Sequence, residues 1–466
     1  MNDWFDAEKH VERAHELYES GRWEEAESEL REAISLDPYQ GEWHFNLGLT
    51  LEAAMRYDDA INAFKEALKL HPDDPQSTLM IGVNLLRLDK AADAIPFLEQ
   101  AAKLDPEALD SFVHRIEAHG RLNQHDQAEL VFYLAQQVDP KNSDIYAAMA
   151  DSLMDRGQHE RAVWCLREAA RLDPTLPGVQ ARLAEAFAAT GRHERARQLY
   201  LLELRKNPGD IDTLLDLGEL LGDMNRTSEA QEKFRRVLEI EPDNADAHFA
   251  LAELAEHTRQ DALAIQHFDV VLRLDPRYPR VRGRIATLLL NSRLARDNSV
   301  ITANKTERAR ELLTQEFTSW EAEPLAWSPE DSASLGHGLL DAQLFTQAAS
   351  LFRALSERAP QHPQHFHQLS VACLHLGQVD QGIAAAREAV RLDRKLIPAM
   401  HNLALAYYSQ SQWRRARYWV REALRAEPDN QGMRRLRLWL RFHLIAEAAT
   451  TLWRAMLSVR LTRTRA

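Results

Sequence analysis

Hydrophobic and small residues recur along the chain in two short stripes within every stretch of 34 residues. In residues 41–74, numbered so that the closing proline is position 32, the first stripe is His44, Leu47, Gly48 and Leu51, and the second is Tyr57, Ala60, Phe64 and Ala67. Spacings of three and four residues place side chains on one face of an α-helix. Each stretch therefore predicts two amphipathic helices joined by a polar turn.

A proline closes each of the first eight stretches at the same position. These prolines, each 34 residues after the previous one, are Pro38, Pro72, Pro106, Pro140, Pro174, Pro208, Pro242 and Pro276. A fixed period of this length indicates one supersecondary unit copied in tandem. The sequence therefore predicts a linear stack of helix pairs, and we expect its function on the surfaces of that stack.

Small residues occupy two positions of the unit. Position 20 is alanine in all eight copies: Ala26, Ala60, Ala94, Ala128, Ala162, Ala196, Ala230 and Ala264. Position 8 is Ala14, Gly48, Gly82, Ala150, Ala184, Gly218 and Ala252, with Ile116 as its one bulky residue. Side chains this small let the two helices of a pair approach closely.

The pattern resembles the tetratricopeptide repeat family, which has small residues at positions 8 and 20, larger apolar residues at 4, 11, 17 and 24, and proline at 32. Eight uninterrupted units cover residues 7–276, and the pattern resumes in 329–362, 363–396 and 397–430. The departures are Glu203 at position 27 and Arg394 in place of one closing proline. The resemblance implies an all-α fold, a right-handed superhelical solenoid of about twelve helix-turn-helix units with a C-terminal capping helix region.

The frame predicts five segments. They are an N-terminal segment 1–6, repeats one to eight in 7–278, an irregular ninth repeat in 279–328, repeats ten to twelve in 329–430, and a basic amphipathic helix in 431–466. In the ninth repeat, Ala309 stands eleven residues later than a position-20 alanine should. Residues 291–306 are polar and aperiodic, so we interpret them as a surface loop between the two helices, a tolerated insertion of the kind that repeat arrays carry.

Composition fits a cytoplasmic protein that buries a long core between neighbouring repeats, with 45% hydrophobic residues. Cys165 and Cys373 lie in distant repeats and are predicted to be buried thiols, which favours a reducing compartment. The N-terminus is acidic and has no basic start, apolar core or cleavage site, so it does not resemble a signal peptide.

Charge is distributed unevenly. Residues 431–466 contain eight arginines and one acid, Glu447, a net charge of +7, which leaves −21 for the first 430 residues of a chain whose total is −14. Two interpretations of the basic helix stay open. It caps the exposed apolar face of the last repeat, as a solenoid requires, or it attaches through Trp439, Phe442 and Trp453 to an anionic membrane or an acidic partner.

The family frame implies that positions 2, 5, 9, 12 and 13 of each first helix face a concave groove. Position 9 of repeats four to eight is acidic throughout: Glu117, Asp151, Glu185, Glu219 and Glu253. A row of carboxylates would attract extended segments rich in lysine and arginine, although glutamate also suits any solvated helix surface. The aspartates at position 2 are attributed to the helix N-termini, where a negative charge is favourable.

The two ends of the groove differ from its acidic middle. Positions 5 and 9 of repeats two and three are Phe45, Leu49, Leu79 and Val83, which is too apolar for an uncovered surface. Either a hydrophobic partner segment or the N-terminal residues around Trp4 and Phe5 should cover them. The last three repeats place His337, His367, His375 and His401 at groove positions, where we expect no metal site.

Several functions are excluded by what the sequence lacks. It has no phosphate loop, nucleophile elbow, metalloprotease motif or dinucleotide fingerprint, so no enzyme activity, cofactor or metal is predicted. The acidic repeats would repel nucleic acid. Family co-chaperones that clamp a terminal carboxylate use basic residues and asparagines, of which only Asn46 is present.

The sequence therefore predicts a non-catalytic scaffold or adaptor for protein partners, whose bound segments are basic or hydrophobic and extended. The alternative is an assembly or regulatory subunit of a membrane-associated or secretion-type complex, with peripheral membrane contact through residues 431–466.

Overall fold

A computed structural model describes residues 3–291 and 300–443, and across them the chain forms α-helices joined by short turns, with no β-strand. The chain divides into two compact units, Met1–Pro242 and Asp243–Ala466. The helices of the first unit are α1 (Asp3–Glu19), α2 (Trp23–Leu36), α3 (Gly41–Ala53), α4 (Tyr57–Leu70), α5 (Pro75–Arg87), α6 (Ala91–Leu104), α7 (Leu109–Arg121), α8 (His125–Val138), α9 (Ser143–Asp155), α10 (His159–Leu172), α11 (Val179–Ala189), α12 (His193–Lys206), α13 (Ile211–Asp223) and α14 (Thr227–Ile240).

The second unit continues the same alternation of helices. Its elements are α15 (Ala245–His257), α16 (Asp261–Leu274), α17 (Val281–Asn291), α18 (Val300–Ala322), a short 3-10 helix (Pro324–Ala326), α19 (Pro329–Asp341), α20 (Phe345–Arg358), α21 (Pro363–His375), α22 (Val379–Leu392), α23 (Ile397–Ser409) and α24 (Trp413–Ala426). A further helix, which we call α25, includes residues 431–443. Cys165 and Cys373 are free and buried, as predicted.

Each odd-numbered helix up to α23 packs against the helix that follows it, and within a unit the second helix of one pair packs against the first of the next, as α2 does against α3. The position-20 alanines of repeats one to eight are fully buried. Position 8 is equally confined, because a Cβ atom added to Gly48 would lie 2.5 Å from the ring of Phe64, which is position 24 of the same repeat. Gly218 and Phe234 repeat this contact at 2.5 Å. The predicted close approach of paired helices is confirmed.

The turn between the two helices of a pair has one conformation throughout. Position 15 has φ between 57° and 75° in eleven repeats, at Gly21, Met55, Asp89, Asn123, Gly157, Gly191, Asn225, Arg259, Gln343, Gly377 and Ser411. At Gly157 the amide donates to the carbonyl of Met154, and the amide of Gln158 donates to that of Leu153. These two hydrogen bonds form a Schellman motif, which ends a helix with a left-handed residue.

The ninth repeat differs from the expectation at its insertion. The second helix, α18, already begins at Val300 and extends over 23 residues, so the interpretation of residues 300–306 as part of a loop was wrong. The sequence has no glycine or proline between 300 and 322, and polar residues alone do not end a helix. Ala309 is fully buried and takes the place of the position-20 alanine.

A carboxyl group is buried in this irregular repeat. Glu316 is 4% exposed, and its Oε2 atom has no hydrogen-bond partner. The residue lines a cavity of about 310 Å³ together with Arg284 and Trp327. Burial raises the pKa of Glu316 to about 7, and the charge of Arg282 and the backbone amides of Gly283 and Arg280 oppose that rise only in part.

The left-handed turns lead to a stability prediction. Gly157 and Gly283 both have open space where a Cβ atom would lie, but only Gly157 has a positive φ. We expect Gly157→Ala to lower the free energy of unfolding by about 1 kcal/mol, because a side chain is disfavoured in the left-handed region. Gly283→Ala, inside α17, should raise it by roughly 0.5–1 kcal/mol. Urea denaturation of both variants tests the difference, and a shift of the same sign in both would contradict it.

The buried acid leads to a prediction about pH. Because the folded-state pKa of Glu316 is about 7, against an ordinary value of 4.5, the folded protein binds this proton more tightly than the unfolded chain does. The contribution of Glu316 to the free energy of unfolding therefore falls as pH rises from 4.5 to 7, by on the order of 3 kcal/mol.

Glu316→Gln removes this dependence, so the variant should gain stability relative to the unmodified protein across that pH range. Glu311→Gln, at an exposed position on the same helix, is the control and should show no such trend. Urea denaturation at a series of pH values measures both variants. A stability difference for Glu316→Gln that does not change with pH would show that the carboxyl is not held neutral.

Candidate protein-interaction surface

In the first unit, the predicted acidic row lies on the first helices of repeats four to seven. These helices are α7, α9, α11 and α13. Neighbouring first helices contact each other directly, as α7 does with α9 and α11 with α13. The carboxylates of Glu117 and Glu185 are both close enough to influence the pKa of Asp151. We call this side of the unit the first-helix surface.

At one end of the surface, basic residues offset the acidic row. Glu117 accepts a hydrogen bond from Arg121 at 2.6 Å, and a hydrogen bond with His114 is the largest cause that lowers the pKa of Glu117. Asp151 lies 3.2 Å from Arg182. Glu117 and Asp151, at this end of the row, therefore each have a basic side chain as a partner.

A cavity of about 430 Å³ opens beside these ion pairs, between α7, α9 and α11. Its lining includes Glu117, Asp151 and Asp155 and the arginines Arg121 and Arg182. Burial, opposed by Arg182 and aided by the carboxylates around it, raises the pKa of Asp151 to about 6. The cavity therefore holds more acidic than basic groups.

Acidic residues predominate further along, on α11 and α13. Burial, followed by the charges of Glu185 and Glu219, raises the pKa of Asp216 to about 6, while a hydrogen bond from Tyr200 opposes the rise. Asp212 contributes a further negative charge. We name Glu185, Asp216 and Glu219 the acidic cluster; its members repel one another, and a positive charge placed among them would relieve that repulsion.

Asp216 and Arg182 were missed by the sequence prediction, which considered position 9 but not position 6. Position 6 of repeats four to nine is His114, Ala148, Arg182, Asp216, Ala250 and Arg284. Position 6 is three residues before position 9, so on a helix the two side chains are neighbours. The residues at position 6 would have shown where a basic neighbour neutralises the acidic row and where an acidic neighbour adds to its charge.

Glu253, the last residue of the acidic row, lies in the second unit. It forms an ion pair with Arg284, whose other terminal nitrogen lies 2.6 Å from Glu256. The guanidinium of Arg284 also lies over the ring of Phe268, 5.1 Å from its centroid. Glu253 is therefore part of a packed ionic network.

The apolar positions of repeats two and three are less exposed than expected. Val83 is 8% exposed, and Phe45, Leu49 and Leu79 are half-buried against the core of these repeats. The ring of Phe45 lies 5.4 Å from that of Phe64. The array itself covers most of this surface, and the side chains of the N-terminal residues 4 and 5 lie outside the described part.

Three of the predicted groove histidines contact other side chains, and His337 lies 3.1 Å from the amide of Gln368. His367 lies 3.3 Å from the amide of Asn402, and His375 stacks on Phe345 with ring centroids 4.4 Å apart. Within the described residues no group of three or more histidine, cysteine or acidic side chains is arranged to hold a metal ion.

The basic helix covers the last repeat over its described part. Met433, Leu436 and Leu440 of α25 are buried in a cluster with residues of α23 and α24. On the other side of α25, Trp439 and Phe442 are 63% and 70% exposed. Residues 444–466, with the rest of the predicted helix, lie outside the described part of the chain. Within residues 3–291 and 300–443, no helix has the length and apolar character needed to span a membrane.

Many solved structures of helical repeat proteins are similar to this chain. A thermophilic protein of this repeat type from Thermus thermophilus, TTC0263, is 25% identical and aligns with 39% of this chain and 99% of its own, with a TM-score of 0.37. Yeast Tom70 is 14% identical and aligns with 95% of this chain and 96% of its own, with a TM-score of 0.35. No curated protein matches the chain.

Family models settle the classification. Tetratricopeptide repeat models match residues 11–75, 79–143, 147–211, 215–279 and 334–396, and another matches 399–426. These matches cover well over half of the chain and agree with the helix pairs, the buried alanines and the repeated turns. The chain belongs to the tetratricopeptide repeat family.

Proposed function

We propose that this protein is a non-catalytic scaffold that binds a basic, extended segment of a protein partner on its first-helix surface. Tetratricopeptide repeats generally serve as scaffolds for protein–protein interaction. The observation that carries the finer proposal is the acidic cluster on α11 and α13, where burial and then the neighbouring carboxylates raise the pKa of Asp216.

A lysine or arginine side chain suits this cluster for an electrostatic reason. A cation between Glu185, Asp216 and Glu219 would replace their mutual repulsion by attraction, and it would lower the pKa of Asp216 on binding. The adjoining cavity continues the acidic lining toward Asp151 and Asp155. An extended segment with cationic side chains at intervals would contact both places.

The net charge of the protein also affects its association with such a segment. The first 430 residues carry a large excess of acidic groups, so basic partners are attracted over a distance that salt shortens. Binding should therefore weaken as ionic strength rises. Binding should also weaken below about pH 6, where Asp151 and Asp216 gain protons.

We expect charge reversal of the cluster, Glu185→Lys with Glu219→Lys, to weaken binding of a labelled peptide of alternating lysine and serine at least tenfold, which is about 1.4 kcal/mol. Fluorescence anisotropy at two salt concentrations measures the affinity and its salt dependence, and both should decrease.

The matched control, Asp73→Lys with Glu107→Lys, makes the same change in net charge at exposed positions in the turns between repeats. It should keep most of the affinity. If the two double variants bind the peptide equally well, total charge rather than the cluster would account for binding, and the proposed site would be wrong.

The exposed aromatic side chains of α25 favour a second function, peripheral attachment to an anionic membrane within a larger complex. Trp439 and Phe442 project from a basic helix that is already fixed to α24 by its other side. Aromatic and basic residues on one amphipathic helix are typical of interfacial binding. Deletion of residues 431–466 would not test this cleanly, because it would uncover the core that Met433, Leu436 and Leu440 complete.

We therefore expect Trp439→Ser with Phe442→Ser to reduce sedimentation with vesicles of phosphatidylcholine and phosphatidylglycerol severalfold, while the unfolding temperature stays unchanged. Trp164→Ser with Leu130→Ser removes exposed apolar side chains from the first unit and serves as the control. Unaltered sedimentation of the α25 variant would exclude these side chains as a membrane contact.

A further inference from the structure

A cavity of about 190 Å³ lies between α24 and α25, in the second unit. Its lining consists of Arg417, Val420, Arg421, Leu424, Arg437, Leu440 and Arg441. Two of the arginines are four residues apart on α24 and two are four residues apart on α25, so each pair lies on one face of its helix. The packing of the two helices places these four exposed arginines around one space.

None of the described residues that line this cavity is acidic. In the part of the chain that the structure describes, none of the four arginines has an ion pair or hydrogen bond. Other arginines of the same helices do have acidic partners: Arg425 lies 2.5 Å from Glu422, and Arg434 pairs with Asp429. Four positively charged residues thus line one cavity without a described counter-charge, which an anion would supply.

The floor of the cavity is apolar. Val420 and Leu440 are each 1% exposed, and Leu424 is the third apolar residue of the lining. Apolar walls lower the local dielectric constant and strengthen the attraction between guanidinium groups and an anion. The space is well above the roughly 10–15 Å³ that one water molecule needs, so a polyatomic anion has room.

The guanidinium geometry identifies the class of anion. Arginine presents a planar fork of donors that matches phosphate oxygens in pairs, and its charge is permanent. A phosphate group offers up to two negative charges and several acceptor oxygens, whereas a carboxylate offers one charge and two oxygens. The charges and hydrogen-bond donors of four arginines around one cavity therefore match a phosphate group better than a carboxylate.

We propose that the cavity between α24 and α25 is a binding site for a phosphate group, carried by a soluble phosphate compound or by a lipid headgroup. This site is separate from the acidic cluster and does not depend on the function proposed for it.

Isothermal titration of the full chain with inorganic phosphate tests the site, with phosphate replacing chloride at constant ionic strength so that general screening does not change. We expect saturable binding that Arg421→Gln with Arg437→Gln weakens at least tenfold. The control, Arg414→Gln with Arg435→Gln, removes the same charge from exposed positions of the same helices outside the cavity lining and should bind phosphate normally.

Absence of saturable binding to the unmodified protein, or equal loss in both double variants, would overturn the proposal. Circular dichroism of the variants checks that the helices remain intact. Vesicles of phosphatidylcholine with phosphatidic acid then separate the two sources. If the protein sediments with these vesicles, and if either inorganic phosphate or the Arg421→Gln with Arg437→Gln change prevents this, the ligand is the lipid headgroup. If the protein binds inorganic phosphate but does not sediment with the vesicles, the ligand is a soluble phosphate compound.

Discussion

The whole array depends on how closely the two helices of each repeat approach. Position 20 provides a fully buried methyl group in repeats one to eight, and at position 8 Gly48 and Gly218 leave no room for a Cβ atom beside the ring at position 24. Because the buried alanine recurs every 34 residues, the two helices of each of these pairs approach closely. Each residue position therefore lies on the same side of its own helix pair in every regular repeat, so the sequence indicates which residues of a unit share a surface.

The regular part of the fold could be predicted because packing dictates it. The alanines and prolines identify each unit, and Ala309 identified the ninth repeat despite its altered spacing. The start of α18 at Val300 could not be predicted in the same way, because polar residues support a solvated helix as readily as a loop. The conformation of position 15 was not apparent either, since Met55 and Arg259 give no sign of a left-handed turn.

The candidate surface was predicted only in part. The acidic residues at position 9 lie on the first helices, but the local charge around each of them depends on the residues at position 6. Arg182 and Arg284 neutralise Asp151 and Glu253, whereas Asp216 strengthens the negative potential between Glu185 and Glu219. A residue such as Glu316 is harder still to recognise, because its burial arises from the irregular helices of one repeat and not from the repeated pattern.

The turns at position 15 have a consequence for how this protein can diversify. Their hydrogen bonds join backbone atoms alone, as at Gly157 and Gln158, so the turn closes whichever side chain occupies it. Glycine, asparagine, arginine, glutamine and methionine all occur there with nearly the same φ. The turn edge of each unit is therefore open to evolutionary drift. Its side chains can be exchanged one repeat at a time, at a modest cost in stability, while the helices and the surface they present stay in place.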